Sequence, residues 1–212
     1  MSTTLSVTNR SNKDVLTFIT LGTTNGCVQN VSELKFSDSS IHLTPLDHLK
    51  GKFTIPAGKS TGISAPSGQG INGNVTFGTP PMNGPTPDLP HGVNPAEFII
   101  NNGFQPNGQE TIDISGVTGA NAIVSMSVTA DDWTSNGGKV KVKSFENNEW
   151  KQNTGIVGVF PYSCDNCTSS DNPPPEVGKH PEFRNQEPIC NVQRPANHNK
   201  GGNVDIAFIR YT

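Results

Sequence analysis

The residues whose type and spacing most directly suggest chemistry are cysteines near the end of this 212-residue chain. Cys164 and Cys167 form a Cys-x-x-Cys pair, and Cys190 follows 23 residues after the second. Together with His180 or His198 they could supply the four nitrogen and sulfur ligands of a tetrahedral zinc site. A disulfide between Cys190 and one member of the pair is an alternative, and free thiols are a third. Redox catalysis is not expected, because no βαβ unit is predicted around the pair.

The fourth cysteine, Cys27, lies far from the others. We expect it either to be a small buried hydrophobic residue or to belong to a second disulfide. No Gly-x-Ser-x-Gly, His-Glu-x-x-His or phosphate-binding loop occurs, so the commonest hydrolase and nucleotide chemistries lack a motif. We therefore expect no cofactor and, apart from the zinc alternative, no metal.

Composition and charge exclude two classes of partner. Lys and Arg total 15 against 18 Asp and Glu, and they are scattered along the chain, so a nucleic-acid surface is not expected. No run approaches the 18 apolar residues of a membrane helix, so no membrane partner is expected. The first residues are polar and lack the pattern of a secretory signal. The chain is thus expected to be cytoplasmic as written, or secreted if it is a mature domain.

The elements that must position these residues are predicted to be short strands. The chain has 22 Gly, 17 Pro and only 32% hydrophobic residues, which is typical of many turns. We find no amphipathic helix, and alternating apolar residues bounded by turn residues predict ten strands, at 5–8, 15–20, 52–55, 73–77, 97–100, 111–114, 122–128, 139–143, 155–160 and 203–209. The pattern favours an all-β sandwich. In 139–143, Lys alternates with Val, which predicts an outer or edge strand.

Two stretches interrupt this strand pattern. Residues 79–95 contain six prolines and predict an extended surface loop. Residues 161–202 contain three of the cysteines and a Pro-Pro-Pro run, and we expect a cross-linked or functional loop-rich lobe inserted before the last strand. The chain is therefore predicted to be one domain, 1–212.

The order of several segments resembles the thaumatin-like family. The most specific likeness is 111–121 with Met126, which is similar to the family's "YDISLVDGFNVPM" stretch. The other matching segments follow the family order: 5–11 with Val15 and Phe18 ("VNRC", "TVW"), 53–58 ("VPAG"), 78–81 ("GxPP"), 95–98 ("LAEF") and 203–208 as the closing strand. Family members usually carry ten or sixteen cysteines, and Ser11 and Ile209 stand where one bonded pair is expected.

The resemblance implies a thaumatin-like β-sandwich with an acidic cleft beside the lobe, linked in the family to binding of β-1,3-glucans. Glu97 stands at the family's Glu, Asp113 at its first Asp and Thr118 at its second. The family's Arg has no counterpart in 59–64. We place Glu97, Asp113, Thr118 and Asn121 in the predicted cleft. The alternative is that Glu97 and Asp113 are ordinary polar strand residues bonded to neighbouring backbone.

The function implied is non-catalytic binding of a β-glucan-type carbohydrate, with a role in defence or host interaction. One alternative is a protein-interaction or structural protein that keeps only the fold. A third, weak endo-β-1,3-glucanase activity, needs two carboxyl groups about 5 to 9.5 Å apart. An aromatic ring would complete a sugar site. The candidates are Phe98, Phe104, Trp133, Trp150 and Tyr162, and the two tryptophans lie beside polar turn residues, where exposure is expected.

Overall fold

A computed structural model describes residues 2–78, 93–102, 108–116, 121–138, 140–147, 157–160, 190–196 and 200–212. The regular elements of these residues are strands and two 3₁₀ helices, Val31–Glu33 and Asn136–Gly138. The strands are β1 (Thr4–Asn9), β2 (Val15–Leu21), β3 (Lys35–Phe36), β4 (Thr44–Pro45), β5 (Lys50–Ile55), β6 (Ser60–Ser64), β7 (Ile71–Phe77), β8 (Ala96–Ile100), β9 (Gln109–Ser115), β10 (Ala122–Val128), β11 (Thr134–Ser135), β12 (Ser144–Glu146), β13 (Val159–Phe160), β14 (Val192–Pro195) and β15 (Asn203–Tyr211).

The strands form two sheets. One has the order β12-β10-β15-β1-β6-β3, and the other has the order β11-β14-β9-β8-β7-β2-β5-β4 with β13 beside β9. β1 lies parallel to β15, and β13 lies parallel to β9. The central strands β2, β7, β8 and β9 are antiparallel to one another. The prediction of an all-β sandwich is confirmed.

The core lies between the sheets and is built by alternation along each strand. In β2, Val15, Ile19 and Leu21 are at most 2% exposed, whereas Leu16 is 38% exposed. Side chains alternate between the two faces of a strand, so every second residue of β2 enters the core. One buried cluster joins such residues from both sheets, including Val7 and Ile206 from the first and Ile19 from the second.

The predicted strand 139–143 is wrong. Among its described residues, 140–143, Lys141 forms an isolated bridge to Thr134 and the others belong to no strand. The Asn-Gly-Gly turn before it folds the chain back, so that Val142 N donates to Trp133 O at 3.0 Å. The ammonium groups of Lys141 and Lys143 donate to the backbone carbonyls of residues 131 and 130.

The lobe prediction lies mostly outside the described residues, as does most of the Pro-rich segment. Within 161–202, Val192–Pro195 is strand β14, which pairs with β9 and β11. Residues 161–189 and 197–199 are not described. The single domain with an inserted lobe therefore stays a prediction. No helix in the described ranges is long and apolar enough to cross a membrane.

Candidate functional site

Four polar side chains form a row across the larger sheet. Thr20 of β2 lies opposite Asn74 of β7, and Asn74 lies opposite Glu97 of β8. Glu97 in turn lies opposite Asp113 of β9. Residues directly opposite one another in antiparallel strands present their side chains to the same face. Neighbouring strands are about 4.8 Å apart, so the row extends over about 14 Å.

The row faces away from the core. The residues that flank its members along the strands belong to the buried cluster, among them Ile19, Val75, Phe98 and Ile112. Because side chains alternate, the row members must point to the opposite face. We call this set, Thr20, Asn74, Glu97 and Asp113, the polar row.

A groove of about 390 Å³ runs over the polar row. This volume lies within the range of about 300 to 1,000 Å³ that is usual for small-ligand sites. Besides the polar row, its described lining comprises Leu21, Gly22, Asn72, Gly73, Phe98, Ile99 and Thr111. Ile99 is half-buried on the outer face of β8, between Asn72 and Thr111. It gives the groove floor an apolar side chain beside the polar row.

The carboxyl groups of Glu97 and Asp113 are hydrogen-bonded to each other. Two carboxyl groups can share a hydrogen bond only when one of them is protonated. Asp113 is only 6% exposed, and burial is the main cause that raises its pKa well above the usual value of 3.8. The negative charge of Glu97 and the hydrogen bond to it raise the pKa of Asp113 further. The pair therefore keeps a proton where an isolated Asp has lost it.

Three atoms of the polar row are buried without a hydrogen-bond partner among the residues that the structure describes. They are Thr20 Oγ1, Asn74 Oδ1 and Asp113 Oδ1. Leaving a buried polar atom unsatisfied costs about 1 to 3 kcal/mol, so native proteins carry few of them. Three of the six such atoms among the described residues lie in this one groove, and the other three belong to Asn94, Asn102 and Asn121.

The structure brings together two of the four residues that the sequence placed in the cleft. Glu97 and Asp113 are neighbours in the polar row, whereas Thr118 lies outside the described residues. Asn121 is not among the groove's described lining residues. Its Nδ2 donates to Phe77 O at 2.7 Å, and its backbone N donates to Asn94 Oδ1 at 3.0 Å. These bonds give Asn121 a structural role that links β7 to the start of β10.

Sequence reasoning missed Thr20 and Asn74. Both lie in predicted strands, and the alternation of β2 already marks Thr20 as an outward-facing residue. What the sequence lacks is the register between strands far apart in the chain, such as Thr20 with Asn74. Polar residues at outward positions of central strands are the signal that could have found them.

The predicted exposure of Trp133 is wrong. Trp133 is 1% exposed, and the guanidinium carbon of Arg194 lies 4.6 Å from its ring centroid. Arg194 is itself buried, so the tryptophan is part of a packed cation–π contact. Phe98 is also buried. Phe104, Trp150 and Tyr162 lie outside the described residues.

The cysteines are only partly described. Cys27 is a free, buried thiol whose pKa is raised by burial, so the second-disulfide prediction is wrong and the buried-hydrophobe prediction is confirmed. Cys190 is fully buried. Cys164, Cys167, His180 and His198 lie outside the described ranges, so the zinc site and the Cys190 disulfide stay predictions. Within those ranges, no group of three or more His, Cys, Asp or Glu residues could hold a metal ion.

The carboxyl geometry does not suit glycoside hydrolysis. Hydrogen-bonded carboxyl oxygens lie about 2.5 to 3.0 Å apart. Glycosidases instead hold their two carboxyl groups about 5 to 9.5 Å apart, with the scissile bond between them. The hydrogen bond to Glu97 that contributes to the raised pKa of Asp113 requires a closer approach than this. The pair therefore lends no support to the glucanase alternative.

Comparisons with known proteins give a likeness among solved structures only. No protein-family model matches the chain, and no curated protein matches it. A solved structure of a thaumatin-like xylanase inhibitor is similar, with a TM-score of 0.39 and 13% sequence identity. The alignment covers 96% of this chain and 97% of the inhibitor. The sandwich assigned to this chain rests on its own strands and sheet order, with which a thaumatin-like fold is consistent.

Proposed function

We propose that the groove binds a neutral, hydroxyl-rich ligand, with carbohydrate as the class, and that the protein performs no chemistry on it. The observation that carries this proposal is the three buried, unpartnered oxygen atoms of the polar row. A sugar hydroxyl both donates and accepts hydrogen bonds. Neighbouring hydroxyl groups of one ligand can therefore satisfy Asn74 Oδ1, Asp113 Oδ1 and Thr20 Oγ1 together.

The charge of the groove supports a neutral ligand. Burial raises the pKa of Asp113, and the negative charge of Glu97 raises it further, so the groove favours the neutral form of Asp113 more than water does. The described lining contains no Lys or Arg that would attract an anion. Ile99 offers an apolar surface against which the C–H groups of a sugar ring can pack.

The test is binding to soluble and insoluble polysaccharides, β-1,3-glucan included, with two variants that keep side-chain size. Thr20→Val and Asn74→Leu each remove one unpartnered oxygen, and we expect each to weaken binding about fivefold to tenfold, the value of one hydrogen bond. Thr54→Val is the matched control, because Thr54 is exposed on β5 of the same sheet and is not among the groove's lining residues.

Stability measurements separate lost binding from lost folding. Thr20→Val and Asn74→Leu replace unsatisfied buried atoms with apolar ones, so the free protein should be at least as stable as the wild type. A variant that is equally stable but binds less establishes the polar row as the site. If no neutral polysaccharide binds the wild type, or both variants bind as well as Thr54→Val, the carbohydrate proposal fails.

The protein-interaction alternative would then be the one to pursue. A Pro-rich segment 79–95 folded over the cleft would favour a protein partner, and residues 79–92 lie outside the described ones. A protein partner whose binding ignores the polar-row variants would support this alternative.

A further inference from the structure

We propose that Asn25 is a site of spontaneous modification, at which the backbone nitrogen of Gly26 attacks the Asn25 carboxamide and water converts the resulting ring into aspartate and isoaspartate. Asn is a thermolabile residue, and a following Gly favours this reaction because it has no side chain to hinder its nitrogen. Six Asn-Gly pairs occur in the chain, and the structure describes both residues of three of them, at Asn25, Asn72 and Asn136. The proposal is independent of what the groove binds.

The reaction needs no reagent other than water. A bond forms between Gly26 N and Asn25 Cγ, and the carboxamide nitrogen leaves as ammonia together with the proton of Gly26 N. The five-membered succinimide ring then takes up one water molecule. Opening at Cγ gives aspartate, whereas opening at the main-chain carbonyl gives isoaspartate, whose backbone runs through Cγ and is one methylene longer. Either product makes the formal net charge of −3 one unit more negative.

Asn25 meets the requirements of this reaction. Its side chain is exposed and makes no hydrogen bond with the residues that the structure describes. Gly26 N donates no hydrogen bond to those residues either, so the attacking nitrogen is not held. The two residues are the centre of a turn closed by a bond from Cys27 N to Thr24 O at 3.1 Å, and Gly26 has a φ of 81°, as in a type II turn. Opening this turn lets Gly26 N rotate towards Asn25 Cγ.

The other two described pairs are held more firmly. Gly73 lies in β7 between its paired strands β2 and β8, so rotation of the Asn72 backbone would break strand pairing. Asn136 is bonded twice, because its Oδ1 accepts from Gln193 Nε2 at 3.2 Å and its backbone N donates to Asn191 O at 2.9 Å. Local opening is easiest where the fewest bonds must break. The fold therefore predicts that Asn25 converts fastest, Asn136 next and Asn72 slowest.

The isoaspartate product should loosen the loop that carries it. Gly70 N donates to Gly26 O at 2.9 Å, and Val28 N donates to Gly70 O at 2.9 Å, so the loop is bonded on both sides of Cys27. One additional backbone methylene at residue 25 displaces Gly26, so the turn and these two bonds cannot all be kept. Cys27 is 5% exposed in the unmodified protein, and its thiol should then become accessible. An aspartate at residue 25 leaves the backbone unchanged and should not have this effect.

The experiment compares the folded wild type with the guanidinium-unfolded chain, both incubated at about pH 8 and about 37 °C and followed by peptide mass mapping. In the unfolded chain, the three pairs should convert at similar rates. In the folded protein, Asn136 should convert about threefold to tenfold more slowly than Asn25, the value of one further hydrogen bond, and Asn72 more slowly than both. Conversion of Asn72 or Asn136 as fast as Asn25 in the folded protein would overturn the proposal, as would an Asn25 that stays intact while the unfolded chain converts.

Two variants separate the chemistry from its consequence. Asn25→Gln keeps the carboxamide, but attack would close a six-membered ring, so conversion at this residue should be lost over the same incubation. Asn25→Asp carries the charge of the product on an unaltered backbone, and freshly prepared it should match the urea midpoint of the wild type. Deamidated wild type, collected by anion exchange and mapped, should have a lower midpoint and should be labelled at Cys27 by iodoacetamide. A collected fraction that behaves like Asn25→Asp would refute the loosening of the loop, and conversion in Asn25→Gln would show that Gly26 N is not the attacking atom.

Discussion

The raised pKa of Asp113 beside Glu97 is the feature of single residues that most affects how this protein should behave. The two side chains meet because β8 and β9 pair in register. Burial is the main cause that raises the pKa of Asp113, and the negative charge of Glu97 and the hydrogen bond to it raise that pKa further. Arg194 does not neutralise the pair, because it bonds Glu110, which lies on the opposite face of β9. Among the described residues of the same face, Lys50 lies opposite Thr20 and Lys52 lies opposite Phe18, at the far end of the row. The stability of the fold therefore depends on how tightly Asp113 holds its proton.

This dependence predicts a decline in stability as the pH rises. The folded protein binds the Asp113 proton more tightly than the unfolded chain does, because folding raises the pKa of Asp113 above 3.8. The stability is full below that value and is lost as the pH rises through the folded pKa, by at most about 1.4 kcal/mol per pH unit. Urea denaturation of the wild type at intervals from pH 4 to 9 should show this decline.

The variant Asp113→Asn isolates the effect. The amide can donate to the Glu97 carboxylate as the protonated acid does, so its stability should not show this component of the pH dependence. Asp47→Asn is the control, since Asp47 Oδ1 accepts from the backbone N of Leu49 and Lys50 at 2.8 Å and an amide oxygen can replace it. Parallel pH curves for wild type and Asp113→Asn would show that the pair holds no extra proton.

The pairing of strands determines which polar residues meet, and this pairing could not be predicted from the sequence. Alternation was enough to find β2, β7, β8, β9 and β10, because each places apolar residues at every second position. It missed β6, whose inward residues include only one large apolar side chain, Ile63. The family resemblance predicted Glu97 and Asp113. Thr20 and Asn74 could be found only from the register of β2 on β7. Register depends on contacts between distant segments, which a local pattern does not contain.

The close approach of β2 and β7 yields a prediction for Gly73. A Cβ atom at Gly73 would overlap with the carbonyl oxygen of Thr20, so these strands pair in register only because this position has no side chain. Gly73→Ala should lower the free energy of unfolding by about 1 to 3 kcal/mol and should weaken ligand binding by displacing Thr20. In the strand control Gly62→Ala, the nearest atom is the Ser37 hydroxyl at 3.1 Å, so a smaller loss is expected.

One outcome would contradict the dependence of the polar row on the register of β2 and β7. Chemical denaturation showing equal losses in Gly73→Ala and Gly62→Ala would mean that β2 and β7 can separate at little cost. The polar row would then not depend on a fixed register. Binding by the two variants, compared at equal folded concentration, would show whether Thr20 is still in place.

At the scale of the whole molecule, a buried charge network joins the segment before β1 to the larger sheet. Arg194 Nε donates to Glu110 Oε2 at 2.7 Å, and both side chains are fully buried. Thr3 Oγ1 bonds the carboxylate of Glu110 and accepts from Arg194 Nη2 at 2.7 Å. The amide of Asn101 completes the link, because it pairs with both the backbone N and the backbone O of Thr3. β1 belongs to the smaller sheet, so this network connects the two sheets near one end of β1.

Breaking this network should destabilise the entire sandwich. Glu110→Gln keeps the shape of the side chain but leaves the Arg194 guanidinium buried without its main counterion, which costs about 3 to 5 kcal/mol in comparable buried pairs. Asp132 Oδ1, which accepts from Arg194 Nη1 at 3.0 Å, is partly exposed and can compensate only in part. The control is Asp131→Asn, because Asp131 is an exposed partner of Lys200 and its loss should change stability little.

Urea denaturation followed by two probes, tryptophan fluorescence and far-UV circular dichroism, should give coincident, lowered midpoints for Glu110→Gln. A midpoint equal to that of Asp131→Asn would mean that the buried pair does not hold the sheets together, and separate transitions by the two probes would mean that they unfold independently.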